Sequence, residues 1–347
     1  MTARTLPRNA AVGAPPRGGV SQGHGTIATL KQHWWPWAKR LFTLAFFVLV
    51  ALLLWRYGRN VGWDDVLTSV RDTPRPALLA AVALAAASHL LYSCFDLLGR
   101  HYTGHGVRTL TVMTVSFISY AFNLTLGSIV GGVAFRYRLY SRLGLDNGVI
   151  TRVVTMSMLT NWLGYMLLGG TLFVLHPLAL PPSWRMGNHG LQWVGALLVG
   201  LSIGYVVACI RAGGRRWDVR GHEIYLPQLR MAVLQLTMSC INWSLMAGIV
   251  YVLLQQKVPY TDVLTVLLVA AIAGVLAHVP AGLGVFEFIF VALLSHQVSE
   301  GRLLAALVGY RAIYYIGPML IADMAYLAFE FKARRGPPRS TDLPAVT

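Results

Sequence analysis

The apolar positions of this chain come in long blocks and not in short alternating stretches. Charge-free runs cover residues 41–55, 77–95, 109–135, 153–175, 191–210, 231–254, 263–286 and, with interruptions, 303–329. A helix needs roughly 20 apolar residues to cross a ~30 Å hydrocarbon core, and most of these runs suffice. The first is short and leans on Trp34, Trp35 and Trp37, which suit an interfacial belt. The pattern predicts an all-α polytopic membrane protein.

Two runs carry residues that a plain span does not need. In the seventh, the stretch "HVPAGLGVFEF" at 278–288 places Pro280, Gly282 and Gly284 mid-segment and follows them with Glu287. Proline removes a backbone donor and disfavours helix at the residue before it. Glycine allows positive φ and close backbone approach. Together they predict a helix–turn–helix within the membrane. The third run carries Asn123, Gly127, Gly131 and Gly132 at its middle, a weaker form of the same signal. For each run the alternative is a kinked but continuous helix. Irregular backbone at membrane depth persists only where protein or water satisfies it, so hairpin tips imply a polar cavity.

Composition agrees with the blocks. Only 12% of the 347 residues are charged and 56% are hydrophobic, with mean hydropathy +0.57, against about 25% charged in soluble domains. The net charge of +16 does not point to nucleic acid, because the basic residues lie between apolar runs and at the termini, where they report topology and attract anionic lipid.

Their placement chooses between two topologies, each with both termini in the cytoplasm. If all eight runs cross, the cytoplasmic loops hold four Lys/Arg and the outside loops fourteen, the reverse of the positive-inside rule. If the third and seventh runs turn back, the count becomes eleven inside and seven outside. The expected architecture is therefore six full transmembrane helices plus two re-entrant helical hairpins, at about 109–135 and 263–295. The halves, about 41–175 and 191–330, then run in opposite directions as an inverted repeat, an arrangement of many transporters. "AFNLTLGSIVGG" and "LAHVPAGLG" echo each other at corresponding places.

The membrane domain is expected over 34–330. Residues 1–33, rich in Gly, Pro and Arg, read as a disordered basic tail, and 331–347 as a polar tail. No signal-peptide cleavage pattern follows the first run. Cys94, Cys209 and Cys240 lie scattered in apolar runs as small packing residues, with no metal-ligand spacing, and no cofactor motif is present.

Charges at membrane depth are the functional candidates. Glu287 follows the second turn, near the amino end of the next half-helix, where the dipole favours a carboxylate; it reads either as a ligand or as a cap. Arg311, in "LVGYRAIYYIGPML", is its natural counter-charge or a phosphate ligand, with Tyr310 beside it. Arg136 and Arg138 follow the first hairpin and suit headgroup capture or topology. Asp96 and Asp323 are weaker candidates for pairing, His89 and His278 for packing, and Asn161 and Asn242 for interhelical hydrogen bonds. Without a catalytic pair or a metal, group-transfer chemistry is not expected.

"FNLTLGSIVGGVAFRYRLYSRLGL", "HVPAGLGVFEFIF" and "YRAIYYIGP" resemble the membrane domain of lysylphosphatidylglycerol synthases/flippases and the free-standing inner-membrane proteins built from it. The likeness covers about 41–329. It implies a phospholipid flippase of the bacterial inner membrane, not an enzyme, with re-entrant helices entering from opposite sides. Pro280, Gly282, Gly284 and Glu287 then fall on the second-hairpin motif, Arg136 and Arg138 after the first hairpin, and Arg311 on the final helix; Asn123 and Tyr310 complete the expected substrate site. Ala281 stands where the family commonly has glycine, which narrows the turn geometries. The chain ends after the membrane part, so lysyl transfer and a lysyl substrate are not carried over. The expected partner is a phospholipid with an anionic or aminoacylated headgroup. The alternative is a non-transporting, lipid-binding subunit of a phospholipid-modifying enzyme; self-association is left open.

Overall fold

The apolar runs fold as helices in a computed structural model that describes residues 64, 68, 71–176, 188–214, 216–219, 222–277 and 279–334. The first run, its tryptophans, the N-terminal tail, residues 335–347 and His278 lie outside the described residues, and the last helix runs on into the expected C-terminal tail as far as Arg334. All described residues belong to one unit, Tyr57–Thr347.

Pro74 precedes the first fully described helix, α1 (Arg75–Ser93), where its fixed φ and missing donor suit a helix start. The chain loosens at Cys94 and continues as α2 (Phe95–Thr103), which Gly104 ends at φ 68° by donating its N–H to the Arg100 carbonyl. Then follow α3 (Thr109–Leu126), a π-turn (Ser128–Ala134) running into α4 (Phe135–Arg142), and the long helices α5 (Asn147–Leu175) and α6 (Asn188–Ala212). A short antiparallel ribbon, β1 (Arg216–Val219) with β2 (His222–Tyr225), pairs Arg216 with Tyr225 and Val219 with His222. It is the one stretch of β-structure among the described residues and was not expected. The second half holds α7 (Leu229–Leu253), α8 (Tyr260–Ala277), a 3₁₀ turn (Pro280–Gly282), α9 (Val285–Leu294) and α10 (Glu300–Arg311). A π-turn (Ala312–Ile316) leads into α11 (Gly317–Arg334).

Among the described residues seven helices are long and apolar enough to cross a membrane, so this is a polytopic membrane protein. Five have 24 to 30 residues; the two of 18 are α3 and α8, each about 27 Å long. These two are also the helices after which the chain doubles back. Phe122 on α3 stacks on Phe135 of the returning arm at 4.2 Å, and His105 before α3 lies 6.2 Å from Tyr140 near the end of α4. At the second place, α9 packs back along α8, and Gln297 after α9 donates to the carboxylate of Asp262 at the start of α8 at 3.0 Å. The doubled segments span 109–142 and 260–294, the first extending further than the charge pattern predicted.

The two doubled segments open at opposite ends of α7. Its first residues share a cavity with Thr103 and Arg152, at the mouth of the first segment; its last residues lead through 254–259 into the second. The 280–282 turn packs against α3. The apolar core divides accordingly, with a large cluster among α1, α7, α8, α9 and α10. A smaller one lies under the first doubled segment, with Val115, Leu139, Ile150 and, from α11, Ala322. Between α5 and α6 a Cβ on Gly170 would crowd the Gly195 carbonyl, so these helices touch at the backbone, a packing mode frequent in membranes. Trp193, Leu197, Leu201 and Met324 point outward and are exposed, as lipid-facing positions require.

Candidate functional site: two clasped turns

In the first doubled segment the reversal rests on Gly127, at φ 85°, ψ 167°. A Cβ there would meet nothing; the requirement is backbone conformation alone. One turn on, Gly131 lies against the backbone of Phe122 and Asn123, which a Cβ would overlap. Gly132 abuts the Asn123 side chain. These are the glycines singled out in the third apolar run.

Five residues further along the arm, Arg136 turns inward and is 2% exposed. Its Nε donates to both carboxylate oxygens of Asp96, at 3.2 and 3.0 Å, and one terminal nitrogen to Oδ1 at 3.0 Å. The same nitrogen reaches the Ser157 hydroxyl at 3.2 Å, and the other donates to the Gly132 carbonyl at 2.9 Å. The Tyr140 hydroxyl donates to Asp96 at 2.9 Å. Burying two charges costs several kcal/mol each and is offset only by such complete pairing. Arg136 thereby ties the returning arm to α2 and α5. Arg138, two residues on, is exposed and lies over the Tyr326 ring at 5.5 Å.

The second turn is built differently. Ala281, Gly282 and Gly284 have φ of 56°, 58° and 79°. Ala281, expected to narrow the turn geometries, nevertheless occupies a left-handed conformation that costs an L-residue roughly 1–2 kcal/mol. Glu287 then accepts the Gly284 N–H at 2.8 Å, capping α9. Its other oxygen pairs with Nε of Arg311. The terminal nitrogens of Arg311 donate to the carbonyls of Ala281 and Gly282, at 3.2 and 3.4 Å. One guanidinium thus holds three points of the turn, from the last turn of α10. The capping and pairing roles weighed for Glu287 are both present.

An aromatic seam joins the two clasps. The Arg311 guanidinium lies over Tyr315 at 5.5 Å and Phe286 at 6.0 Å. Phe286 stacks on Tyr310 and Tyr310 on Tyr314, at 5.6 and 5.3 Å. The Tyr314 hydroxyl bonds those of Tyr120 and Ser88, both at 2.8 Å, and Ser88 donates to Asn242 at 2.7 Å. Tyr120 stacks on Tyr92, which faces Arg136 at 6.0 Å. Three buried atoms along this seam, Nδ1 of His89 and the hydroxyls of Ser119 and Tyr310, have no hydrogen-bond partner among the described residues.

The structure brings together Glu287, Arg311, Tyr310 and the 280–284 turn, and separately Arg136, Asn123 and the 127–132 turn. Asn242 makes its expected interhelical bond, whereas Asn161 takes part through its carbonyl, accepting from Ser239 and Trp243. Asp96, weighed as an interfacial pairing residue, is instead 0% exposed and central to the first clasp. The signal for it was present: two opposite charges, Asp96 and Arg136, in otherwise apolar surroundings. The tyrosine seam had no such signal.

Outside the spanning helices, His105 sits in the loop between α2 and α3. Its Nδ1 accepts the Val107 N–H, and its pKa is lowered by burial first and by the nearby Arg100 guanidinium second.

Known proteins place the fold. Residues 42–322 match the family described as the lysylphosphatidylglycerol synthase TM region. The chain belongs to this family. The inner membrane protein YbhN of Escherichia coli is 45% identical over 302 residues, 87% of this chain and 95% of that protein. An uncharacterised protein of Synechocystis is 30% identical over 287 residues, 80% of this chain and 86% of its own length. A phosphatidylglycerol lysyltransferase of Staphylococcus aureus is 24% identical over 84% of this chain, which spans 34% of that protein. Family membership accounts for the resemblance carried by the "HVPAGLGVFEF" block.

Proposed function

We propose that the protein moves a phospholipid between leaflets of the bacterial inner membrane. The two doubled segments are read as re-entrant hairpins that enter from opposite faces. The observation that carries the reading is geometric: they open at opposite ends of α7, and the turn of one packs on an arm of the other. Broken helices meeting at mid-membrane around charged groups are the arrangement by which secondary transporters hold a substrate. The basic loops between α2 and α3, α4 and α5, and α6 and α7 then face the cytoplasm, with both termini on that side.

In this reading the headgroup phosphate takes the place of Glu287 on Arg311, whose fork suits a phosphate as well as a carboxylate. The released carboxylate engages a cationic headgroup or accepts the proton that couples the movement. Asn123, Tyr310 and the exposed Arg138 line the path, Arg136 holds its hairpin, and the acyl chains stay in the bilayer. The protein acts as a transporter and not as an enzyme.

Leaflet exchange of a labelled phospholipid in reconstituted vesicles tests this directly. The intact protein is expected to accelerate exchange, and Glu287→Gln to slow it by about tenfold, equivalent to about 1.4 kcal/mol. Undiminished exchange by the variant removes Glu287 from the mechanism. A second reading draws on the match to part of the larger lysyltransferases: a lipid-presenting subunit for a modifying enzyme. Stoichiometric co-purification with such an enzyme, and no exchange by the isolated chain, would favour it.

A further inference from the structure

The aromatic seam leaves one imidazole half satisfied. His89, weighed as a packing residue, is 4% exposed on α1. Its ring lies 5.7 Å from Phe117 and 5.2 Å from Tyr120 on α3, and 4.8 Å from Tyr314. Nε2 stands 3.1 Å from the carbonyl of Tyr314, inside the π-turn (Ala312–Ile316). A carbonyl only accepts, so Nε2 carries a proton, and Nδ1 is either a bare lone pair or a second N–H. Nδ1 has no partner among the described residues.

The hydroxyls around the ring have no proton to give it. Ser88 donates its single hydroxyl proton to Oδ1 of Asn242 at 2.7 Å. The 2.8 Å bond between Ser88 and Tyr314 is therefore donated by Tyr314, and that between Tyr314 and Tyr120 by Tyr120. The chain of hydroxyls runs one way and ends on Asn242. Ser119 is different. It is 0% exposed, and its hydroxyl has no partner among the described residues. Contacts step back along α1 as they step forward along α3, from Tyr92 with Ser116 to His89 with Tyr120, which sets Ser119 level with His89.

Charge decides the protonation state of the ring. The groups that face it are Tyr120 and Ser119 from α3, Tyr314 from the π-turn and Tyr92 one turn along α1. From α7, Asn242 and Met246 reach the seam through Ser88 and Tyr120. None of these is a carboxylate. The acids beyond the seam are taken, Asp96 on α2 by Arg136 and Glu287 by Arg311. An imidazolium in this place would hold an unpaired charge and an N–H without an acceptor, both of which burial opposes. The arrangement is that of the neutral ring.

We infer that His89 is a proton-binding latch: a proton added to the Nδ1 lone pair favours a shift of α3 against α1 that brings the Ser119 oxygen to the new N–H and draws Tyr120 off Tyr314. The proton acts as a ligand that binds the parted seam better than the closed one, and so moves the balance between them. The latch stands apart from lipid movement; as the proton that couples transport, it rests on the proposed function.

The test uses the full-length protein in phosphatidylcholine nanodiscs. Hydrogen exchange of the segments 114–126 and 310–317 is followed between about pH 8 and 5, a range in which tyrosines, titrating ordinarily at about 10, keep their protons. Corrected for the intrinsic rate, exchange is expected to rise on acidification, by up to about tenfold per pH unit for one linked proton. His89→Gln keeps a donor and an acceptor but takes up no proton, and is expected to abolish the rise. Glu287→Gln is expected to keep it. Ser119→Ala is expected to move its midpoint to lower pH, which keeps the proposal testable should His89→Gln fold poorly.

No rise in the intact protein, or an unchanged rise in His89→Gln, overturns the latch. A rise lost in Glu287→Gln but kept in His89→Gln assigns the proton to the second clasp and overturns it equally. An unmoved midpoint in Ser119→Ala overturns the shift toward that residue. Leaflet exchange measured in parallel separates the two proposals. Acid-driven parting in a protein that never exchanges lipid leaves the latch and removes the transporter; lipid exchange with a seam indifferent to pH does the reverse.

Discussion

The two hairpins solve the same problem with opposite signs. In each, a chain reverses between apolar helices and a buried acid–arginine pair ties the returning arm to a neighbouring helix. In the first the arm carries the arginine and α2 the acid. In the second the arm carries the acid and α10 the arginine. Depth differs too. Arg136 lies nine positions past Gly127, inside the packed arms, whereas Glu287 lies three past Gly284, at the turn itself. The first pair is sealed, at 2% and 0% exposure; the second is more open, at 15% and 9%. One clasp is closed off from its surroundings, and the other is partly open to them.

The largest effect that tests this contrast comes from breaking each pair. Arg136→Gln leaves Asp96 charged and buried, and is expected to lower stability by about 3–5 kcal/mol. Arg311→Gln removes hydrogen bonds from a less enclosed charge and is expected to cost about 1.5–3 kcal/mol. Thermal unfolding of the detergent-purified variants orders them, and adding Asp96→Asn to Arg136→Gln should restore part of the loss. Equal destabilisation by the two single changes would erase the distinction.

A smaller effect separates the turns. Gly131→Ala drives a Cβ into the α3 backbone and is expected to destabilise by about 1–3 kcal/mol. Ala281→Gly relieves a left-handed alanine at the expense of some chain entropy, and should stabilise by less than about 1 kcal/mol. The same unfolding assay reads both. Destabilisation by Ala281→Gly would mean that the alanine side chain packs more than it strains.

The smallest effect concerns the mouth of the first hairpin. Because burial lowers the pKa of His105 from 6.5, the unfolded chain binds its proton first as pH falls. Its contribution to stability is therefore complete above 6.5 and is lost below it, toward the lowered folded value. His105→Gln should flatten that part of the stability–pH curve between 7.5 and 5, the approximate range about the ordinary histidine value. A curve identical to that of the unaltered protein would assign the titration elsewhere.

Much of the second hairpin was legible because its signals are local. Pro280, Gly282, Gly284 and Glu287 lie within eight consecutive positions, and each acts on backbone within a turn of itself. The pairing with Arg311 was legible as well, since a lone arginine in an apolar helix demands an anion. The reversal in the first doubled segment was legible in its glycines. Its clasp was not, because Asp96 and Arg136 lie forty positions apart and only the packed arms bring them together. Nor could the sequence announce that Ala281 accepts a left-handed backbone, that Cys94 loosens the first described span, or that a ribbon forms at 216–225. Those outcomes depend on neighbours and not on residue type. Tyr92, Tyr120 and Tyr314 carry no signal of a seam until their hydroxyls and faces are seen in register.

That register has a mechanical consequence. The Tyr314 hydroxyl is pinned between α1 and the first hairpin, while its ring leans on Tyr310 and, through Phe286, on the second. Sliding either doubled segment along its neighbour pulls on that one phenol, and parting its buried contacts exacts about 1–3 kcal/mol for each polar atom stranded. The two turns are geared together, and whatever unlocks one must carry the other with it.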